Sequence, residues 1–187
     1  MARTPSTMLP LGTKAPSFEL PDTVSGKEFS LSELKGEKGT LIMFICNHCP
    51  FVKHVNPELV RLSEDYRDRG FGFITISSND VENYPEDHPD KMKETAAREG
   101  YPFPYLYDAS QEAARDYQAA CTPDFFLFGP DLKLRYRGQL DDSRPGNEIP
   151  VTGKDLRNAL DCLIKARPVP REQKPSLGCN IKWKETS

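Results

Sequence analysis

The stretch Thr40 to Val60, TLIMFICNHCPFVKHVNPELV, decides how this chain is read. Thr40 to Ile45 is a nearly continuous apolar run, the pattern of a strand buried on both faces of a parallel or mixed sheet. Beyond CNHC, Phe51, Val55, Leu59, Leu62 and Tyr66 recur at helical spacing, and Gly70 follows where a C-terminal glycine belongs. Pro57 falls inside that pattern and is expected to kink the helix, because it lacks a backbone donor and crowds the preceding turn. Cys46 and Cys49 therefore stand where a strand hands over to a helix.

That position selects among the chemistries open to a C-x-x-C pair. A structural zinc site calls for four ligands at close spacing, and Cys121, Cys162 and Cys179 are scattered without forming a second pair, so no metal is expected. At a helix N-terminus, by contrast, unpaired N–H groups and the macrodipole favour a negative sulfur. An ordinary thiol with a pKa of about 8.5 is only about 3% ionised at pH 7. Lowering the pKa to about 7 raises this to about half, for roughly 2 kcal/mol. His48, between the two cysteines, is expected to tune the couple: an imidazolium there favours the thiolate and makes the disulfide more oxidising.

Working outward, FGFITIS is a second strand, and the order strand, helix, strand implies a right-handed crossover and a parallel pair. The loop SSNDVENYPEDHP leads into a helix from Pro89 to Glu99, closed by Gly100. PYLYD is a short strand, and Ser110 is expected to cap the helix QEAARDYQ. DFFLFGPDLKLRYRG reads as two strands joined at Gly129-Pro130-Asp131. Thr152 and Asp155 resemble a capping box opening the helix DLRNALDCLIKA, with Pro168 as its stop. Upstream, PSFELPD and KEFSLSELKG form a short hairpin followed by a helical turn at Leu31 to Leu34.

The whole chain sets the frame. Its 187 residues suit one domain with some extension, and a net charge of −3 without a basic stripe argues against nucleic acid. There is no run of ~20 apolar residues for a membrane span and no secretory signal core, so a cytosolic protein is expected. An odd count of five cysteines argues against a structural disulfide framework. Residues 168–187 begin as a Pro-rich tether and end in an alternating segment around Ile181 and Trp183. The single tryptophan suggests that this tail docks on the domain.

Strand, C-x-x-C, proline, helix, strand resembles the thioredoxin superfamily. The resemblance implies that Cys46 is the exposed attacking thiol and Cys49 the shielded resolving thiol. It also implies that Thr122-Pro123, in ACTPDFFLF, is a cis peptide bond opposite the couple, whose backbone receives the partner as a short added strand. The strings APSFELPD, FICNHCPFVKH, YPEDHPDKM, ACTPDFFLF and GCNIKW narrow the resemblance to a peroxiredoxin-like branch, related to the alkyl hydroperoxide reductase and thiol-specific antioxidant proteins. It covers nearly the whole chain. The implied fold is α/β, a central mixed sheet flanked by helices with an N-terminal hairpin extension, spanning residues 8–167 with 168–187 as the docked tail.

The implied activity is thiol–disulfide oxidoreduction on a disulfide- or dithiol-containing protein, with no bound cofactor. The alternatives are a thiol peroxidase acting on small hydroperoxides and a non-catalytic redox-sensing adaptor. Aligning Cys49 with the peroxidatic cysteine of P-x-x-x-T-x-x-C puts Cys46 at the threonine and Ile42 at the proline. TPDFFLF also lacks the supporting arginine, which tells against strong peroxidase activity. Cys121, two residues before Pro123, and Cys179, in the tail, are candidate additional redox thiols, whereas Cys162 is expected to be inert. His54 and His88 are expected at the surface. Thr40 stands where thioredoxin carries a buried acid, which leaves the proton acceptor for Cys49 unassigned.

Overall fold

A computed structural model describes residues 3–186, so of the expected tail only Ser187 lies outside the described residues. The chain runs β1 (Arg3–Pro5), β2 (Glu19–Pro21), β3 (Glu28–Ser30), α1 (Leu31–Leu34), β4 (Gly39–Phe44), α2 (Pro50–Arg67), β5 (Phe71–Ser77), α3 (Pro89–Glu99) and β6 (Tyr105–Tyr107). It continues with α4 (Glu112–Asp116), β7 (Cys121–Thr122), β8 (Asp124–Phe128), β9 (Leu134–Tyr136), α5 (Lys154–Ile164) and β10 (Leu177–Asn180).

Five strands form the central mixed sheet in the order β6-β5-β4-β8-β9. β4 lies in the middle, parallel to β5 and antiparallel to β8. It is buried along its whole length because both its faces are covered. Leu41, Met43 and Ile45 pack into one apolar cluster with Val52, Val55, Leu59 and Leu62 of α2 and Leu156 and Leu160 of α5. Ile42 and Phe44 point the other way, into a second cluster with Ile74, Ile76, Tyr117, Phe126 and Phe128. Each such side chain contributes roughly 1.5–3 kcal/mol on full burial. The strand end that carries Cys46 is therefore held from both sides.

The hairpin β2-β3 is present, and Ser30 and Glu33 close a capping box at the start of α1. α2 begins with Pro50, whose fixed φ suits the first helical position, and it runs without a break through Pro57.

Two caps also differ from expectation. At α4 the N-cap is Gln111, in the left-handed region at φ 64°, and the Ser110 hydroxyl accepts from the Glu112 amide without capping the helix. At α5 the N-cap is Gly153, and the amides of Thr152 and Gly153 both donate to the Asp141 carboxylate at 2.7 Å. The first-turn amides of Asp155 and Leu156 donate to the distant Leu140 carbonyl in place of the local Thr152/Asp155 pattern, and the Thr152 hydroxyl accepts the Lys154 amide at 3.3 Å. α5 ends at Ile164, ahead of Pro168.

The tail docks by strand pairing. β10 lies between β1 and β7, antiparallel to both, with Cys179 opposite Arg3 on one side and Thr122 on the other. Its apolar anchors are Cys179 and Ile181; Trp183 stays 41% exposed, with the Arg115 guanidinium 5.3 Å over its ring. Among the described residues no helix is long and apolar enough to cross a membrane.

Candidate active site

Cys46 lies two residues beyond the end of β4 at Phe44, and Cys49 is the residue before the first turn of α2, as the spacing implied. The Thr122-Pro123 bond is cis and faces them. The Thr122 side chain lies 3.4 Å from Cys46 Sγ, and its carbonyl lies 3.3 Å from Cys49 Sγ. One expectation fails here: Cys46 is 1% exposed and Cys49 0%, so neither sulfur is open to solvent. No disulfide joins any two of the five cysteines among the described residues.

The two thiols titrate as one unit. The hydrogen bond from Cys46 is the largest influence on Cys49 and, against the cost of burial, brings its pKa down to about 4. Smaller contributions come from Cys179, Thr122 and the Val52 amide at the helix start. Cys46 is pushed the other way, first by that same hydrogen bond, then by burial and by the nearby Asp87 carboxylate. The hydrogen bond between the two sulfurs thus favours a shared proton, and burial weighs against a charge on Cys46. Asp87, an anion from a loop some forty residues away, adds to the hydrogen bond and burial that already raise Cys46.

Asp87 organises the rest of the site. Its carboxylate accepts the Asn47 amide at 2.8 Å and the Asn79 side-chain amide at 2.8 Å, and lies 2.6 Å from His48 Nδ1. Burial alone would raise its pKa, but the hydrogen bonds from His48, Asn79 and Asn47 hold it below the usual carboxylate range. His48 in turn is raised, chiefly by its bond to Asp87, so it carries a proton to higher pH than a free imidazole. Its ring stacks on Tyr84 at 5.8 Å, with the planes 8° apart. His48 therefore faces Asp87, and its ring nitrogen also lies within 4.8 Å of the Cys46 sulfur. Tyr105 OH donates to Asn47 Oδ1 at 2.9 Å, fixing the residue between Cys46 and His48.

Among the described residues, Cys46, His48 and Asp87 form a group whose ligand atoms lie within 4.8 Å of one another, and these three are the side chains that could hold a metal ion. Asp87 already receives three protein donors there, so its position is accounted for without one.

The remaining sequence-stretch candidates divide clearly. Cys179, on β10, places its Sγ 2.9 Å from Cys49 Sγ. Gly178 permits this approach, since a Cβ there would fall 1.9 Å from the Thr122 carbonyl oxygen. Cys121 is buried with its thiol directed to the Pro123 carbonyl at 3.6 Å, and burial pushes its pKa well up, as befits a packing residue. Cys162 sits half-buried on α5, away from the couple's cluster. His88 is at the surface as expected, its ring accepting the Asp90 amide at the start of α3. His54, expected to be solvated, is half-buried beside Phe51, Val55 and Pro123, with Nε2 enclosed. Thr122 was expected to receive an added partner strand, and that pairing is taken by the chain's own β10.

Comparison with known proteins agrees with this architecture. The AhpC/TSA family model matches residues 11–137, and the chain belongs to that family. It is 26% identical over 110 residues to the thiol-disulfide oxidoreductase YkuV of Bacillus subtilis (strain 168), covering 58% of this chain and 72% of that protein. The crystal structure of an uncharacterized conserved protein from Geobacillus kaustophilus superposes with a TM-score of 0.98 at 58% identity, covering 100% of this chain and 99% of the other. At the level of fold alone, a thiol:disulfide interchange protein of the thioredoxin family from Chlorobium tepidum TLS matches with a TM-score of 0.63 at 20% identity, covering 82% and 97% of the two chains. The fold is thioredoxin-like.

Proposed function

We propose that the protein is a thiol–disulfide oxidoreductase whose Cys46-Cys49 couple cycles between dithiol and disulfide by exchange with a protein partner. The observation that carries this reading is geometric: two buried thiols at a helix start, both against Thr122, so placed that one proton can pass between them. Moving that proton from Cys46 to Cys49 creates the attacking form. The Cys49 thiol then donates to the Thr122 carbonyl, and the Cys46 thiolate receives the Thr122 hydroxyl. Cys46 attacks one sulfur of the partner's disulfide and the other sulfur leaves as a thiolate; Cys49 next displaces the partner and closes the Cys46-Cys49 ring.

A partner reaches the couple when β10 withdraws from β7, because both sulfurs are closed off while it is seated. Peroxide reduction is the weaker reading. The charged group acting on Cys46 is a carboxylate, which offers nothing to an O–O bond that needs hydrogen-bond donors and positive charge.

Insulin disulfide reduction with a dithiol as electron source tests the proposal. The wild-type protein is expected to turn over, and Cys46→Ser to lose at least about a hundredfold in rate. Turnover that survives Cys46→Ser, or peroxide consumption that outpaces insulin reduction, would overturn it.

A further inference from the structure

The tail brings a third sulfur into the site. Cys179 and Cys49 are separated by 130 positions, yet their Sγ atoms lie 2.9 Å apart, and a movement on the order of 1 Å separates that contact from a covalent S–S bond. The placement is built from several directions. Cys179 pairs with Thr122 across β10 and β7, and with Arg3 across β10 and β1. Gly178 removes the side chain that would strike the Thr122 carbonyl. Beyond the strand, the Ile181 amide donates to Ala120 O at 3.1 Å, the Lys182 amide to Asn79 Oδ1 at 2.9 Å, and the Gln111 side chain to Lys182 O at 2.9 Å. Asn79 also donates to Asp87, so the tail is tied into the network that holds His48.

We propose that Cys179 is a third exchanging thiol of this site, which accepts the disulfide from the Cys46-Cys49 couple and thereby latches the tail over it. The proposal deepens the oxidoreductase reading and rests on it. In the oxidised protein the Cys179 sulfur attacks Cys49 Sγ. The Cys49-Cys179 bond forms as the Cys46-Cys49 bond breaks, Cys46 leaves as a thiolate, and the proton released by Cys179 returns to it. Two thiols become one disulfide in the first exchange with the partner, and this second step only relocates that disulfide, so no further oxidant or reductant enters.

The consequence is directional. The pairing that β10 makes with Thr122 occupies the edge a partner strand would use, and a Cys49-Cys179 bond makes that occupation covalent. Oxidation closes the entrance, and reduction of the relocated bond reopens it.

Disulfide mapping of the full chain tests this. Reduced protein is treated with oxidised glutathione, quenched by alkylation at low pH, and its cross-linked peptides are identified by mass spectrometry. Wild-type protein is expected to yield both Cys46-Cys49 and Cys49-Cys179 peptides. Cys46→Ser is expected to yield Cys49-Cys179 over the Cys49 glutathione adduct by about tenfold or more, since a seated neighbouring thiol outcompetes millimolar glutathione. Cys179→Ser should give the Cys46-Cys49 peptide alone, with its thermal transition showing that it is folded.

A Cys46→Ser protein that stays glutathionylated at Cys49 overturns the proposal. Should that variant fail to fold, absence of the Cys49-Cys179 peptide from oxidised wild-type protein at every glutathione ratio overturns it equally. Failure of the oxidoreductase reading looks different, because wild-type insulin turnover would then be missing whichever sulfurs pair.

Discussion

Asp87 and Asp124 are both shut away from water at this site, one on the His48 side of Cys46, the other two residues beyond Thr122, and their surroundings drive them in opposite directions. Asp87 meets a cation and two amide donors and stays ionised below the usual carboxylate range. Asp124 accepts the Ala120 amide at 3.1 Å through one oxygen, while the other has no hydrogen-bond partner among the described residues. Burial dominates there and raises its pKa to about 6, although neighbouring amides pull the other way. Depth alone is thus a poor guide to charge; the count and sign of the donors decide.

The largest effect that would break this contrast comes from emptying the compensated pocket. Asp87→Ala leaves the Asn47 amide, the Asn79 side chain and the His48 imidazolium without their shared acceptor. Removing one member of such a buried charged set costs roughly 3–5 kcal/mol. Urea unfolding at pH 7 should show that loss, and alkylation should show the Cys46 thiol becoming easier to ionise as its neighbouring anion disappears. A loss under about 1 kcal/mol would mean that water replaces the carboxylate freely and that the pocket is less closed than it looks.

The second pocket responds to pH with the reverse sign. A carboxyl raised from about 4 in the unfolded chain to about 6 when folded binds its proton more tightly in the native state. Its stabilising contribution is full below about pH 4. It falls as pH rises between those two values, leaving a deficit of about 3 kcal/mol above pH 6. Asp124→Asn removes the titration while keeping an oxygen for the Ala120 amide, so it is expected to stabilise the protein at pH 8 by up to that amount and to change little near pH 4. Asp87 slopes the other way: its depressed pKa gives stability that is present above the unfolded value and is lost as pH falls through the folded one. Parallel pH–stability curves for Asp124→Asn and wild type from pH 4 to 8 would contradict the assignment of a raised pKa to Asp124.

The contrast also marks what could be read from the chain. The β4 strand, the helix after CNHC and the turn at Gly129 follow from local period and turn chemistry, and the Thr122-Pro123 site and tail docking from a resemblance in short strings. These signals lie within a few residues of what they specify. Asp87 does not: YPEDHPD carries three acids of similar character, Glu86, Asp87 and Asp90, and only tertiary placement shows which one meets Asn47, Asn79 and His48. Nor does the burial of Cys46, since the covering strand β10 starts more than a hundred residues later. The expected Thr152/Asp155 box at α5 failed for the same reason, since the Asp155 amide donates to the distant Leu140 carbonyl.

The smallest expected effect sharpens the comparison most, since it separates the charge of the Asp87 pocket from its packing. His48→Gln removes the cation but keeps a donor of similar reach for the carboxylate. With His48 raised by Asp87, the stabilisation the imidazolium supplies is present below its unfolded pKa of about 6.5 and fades as pH rises through its folded value. The variant should therefore lose about 1 kcal/mol at pH 6 and little at pH 9. Asp87, stripped of its counter-charge, should then press harder on Cys46, so iodoacetamide alkylation of Cys46 should move to higher pH by less than about one unit. A stability loss with an unmoved alkylation profile would reduce His48 to a brace against Tyr84, and the opposite fates of the two carboxylates would then owe nothing to the cation.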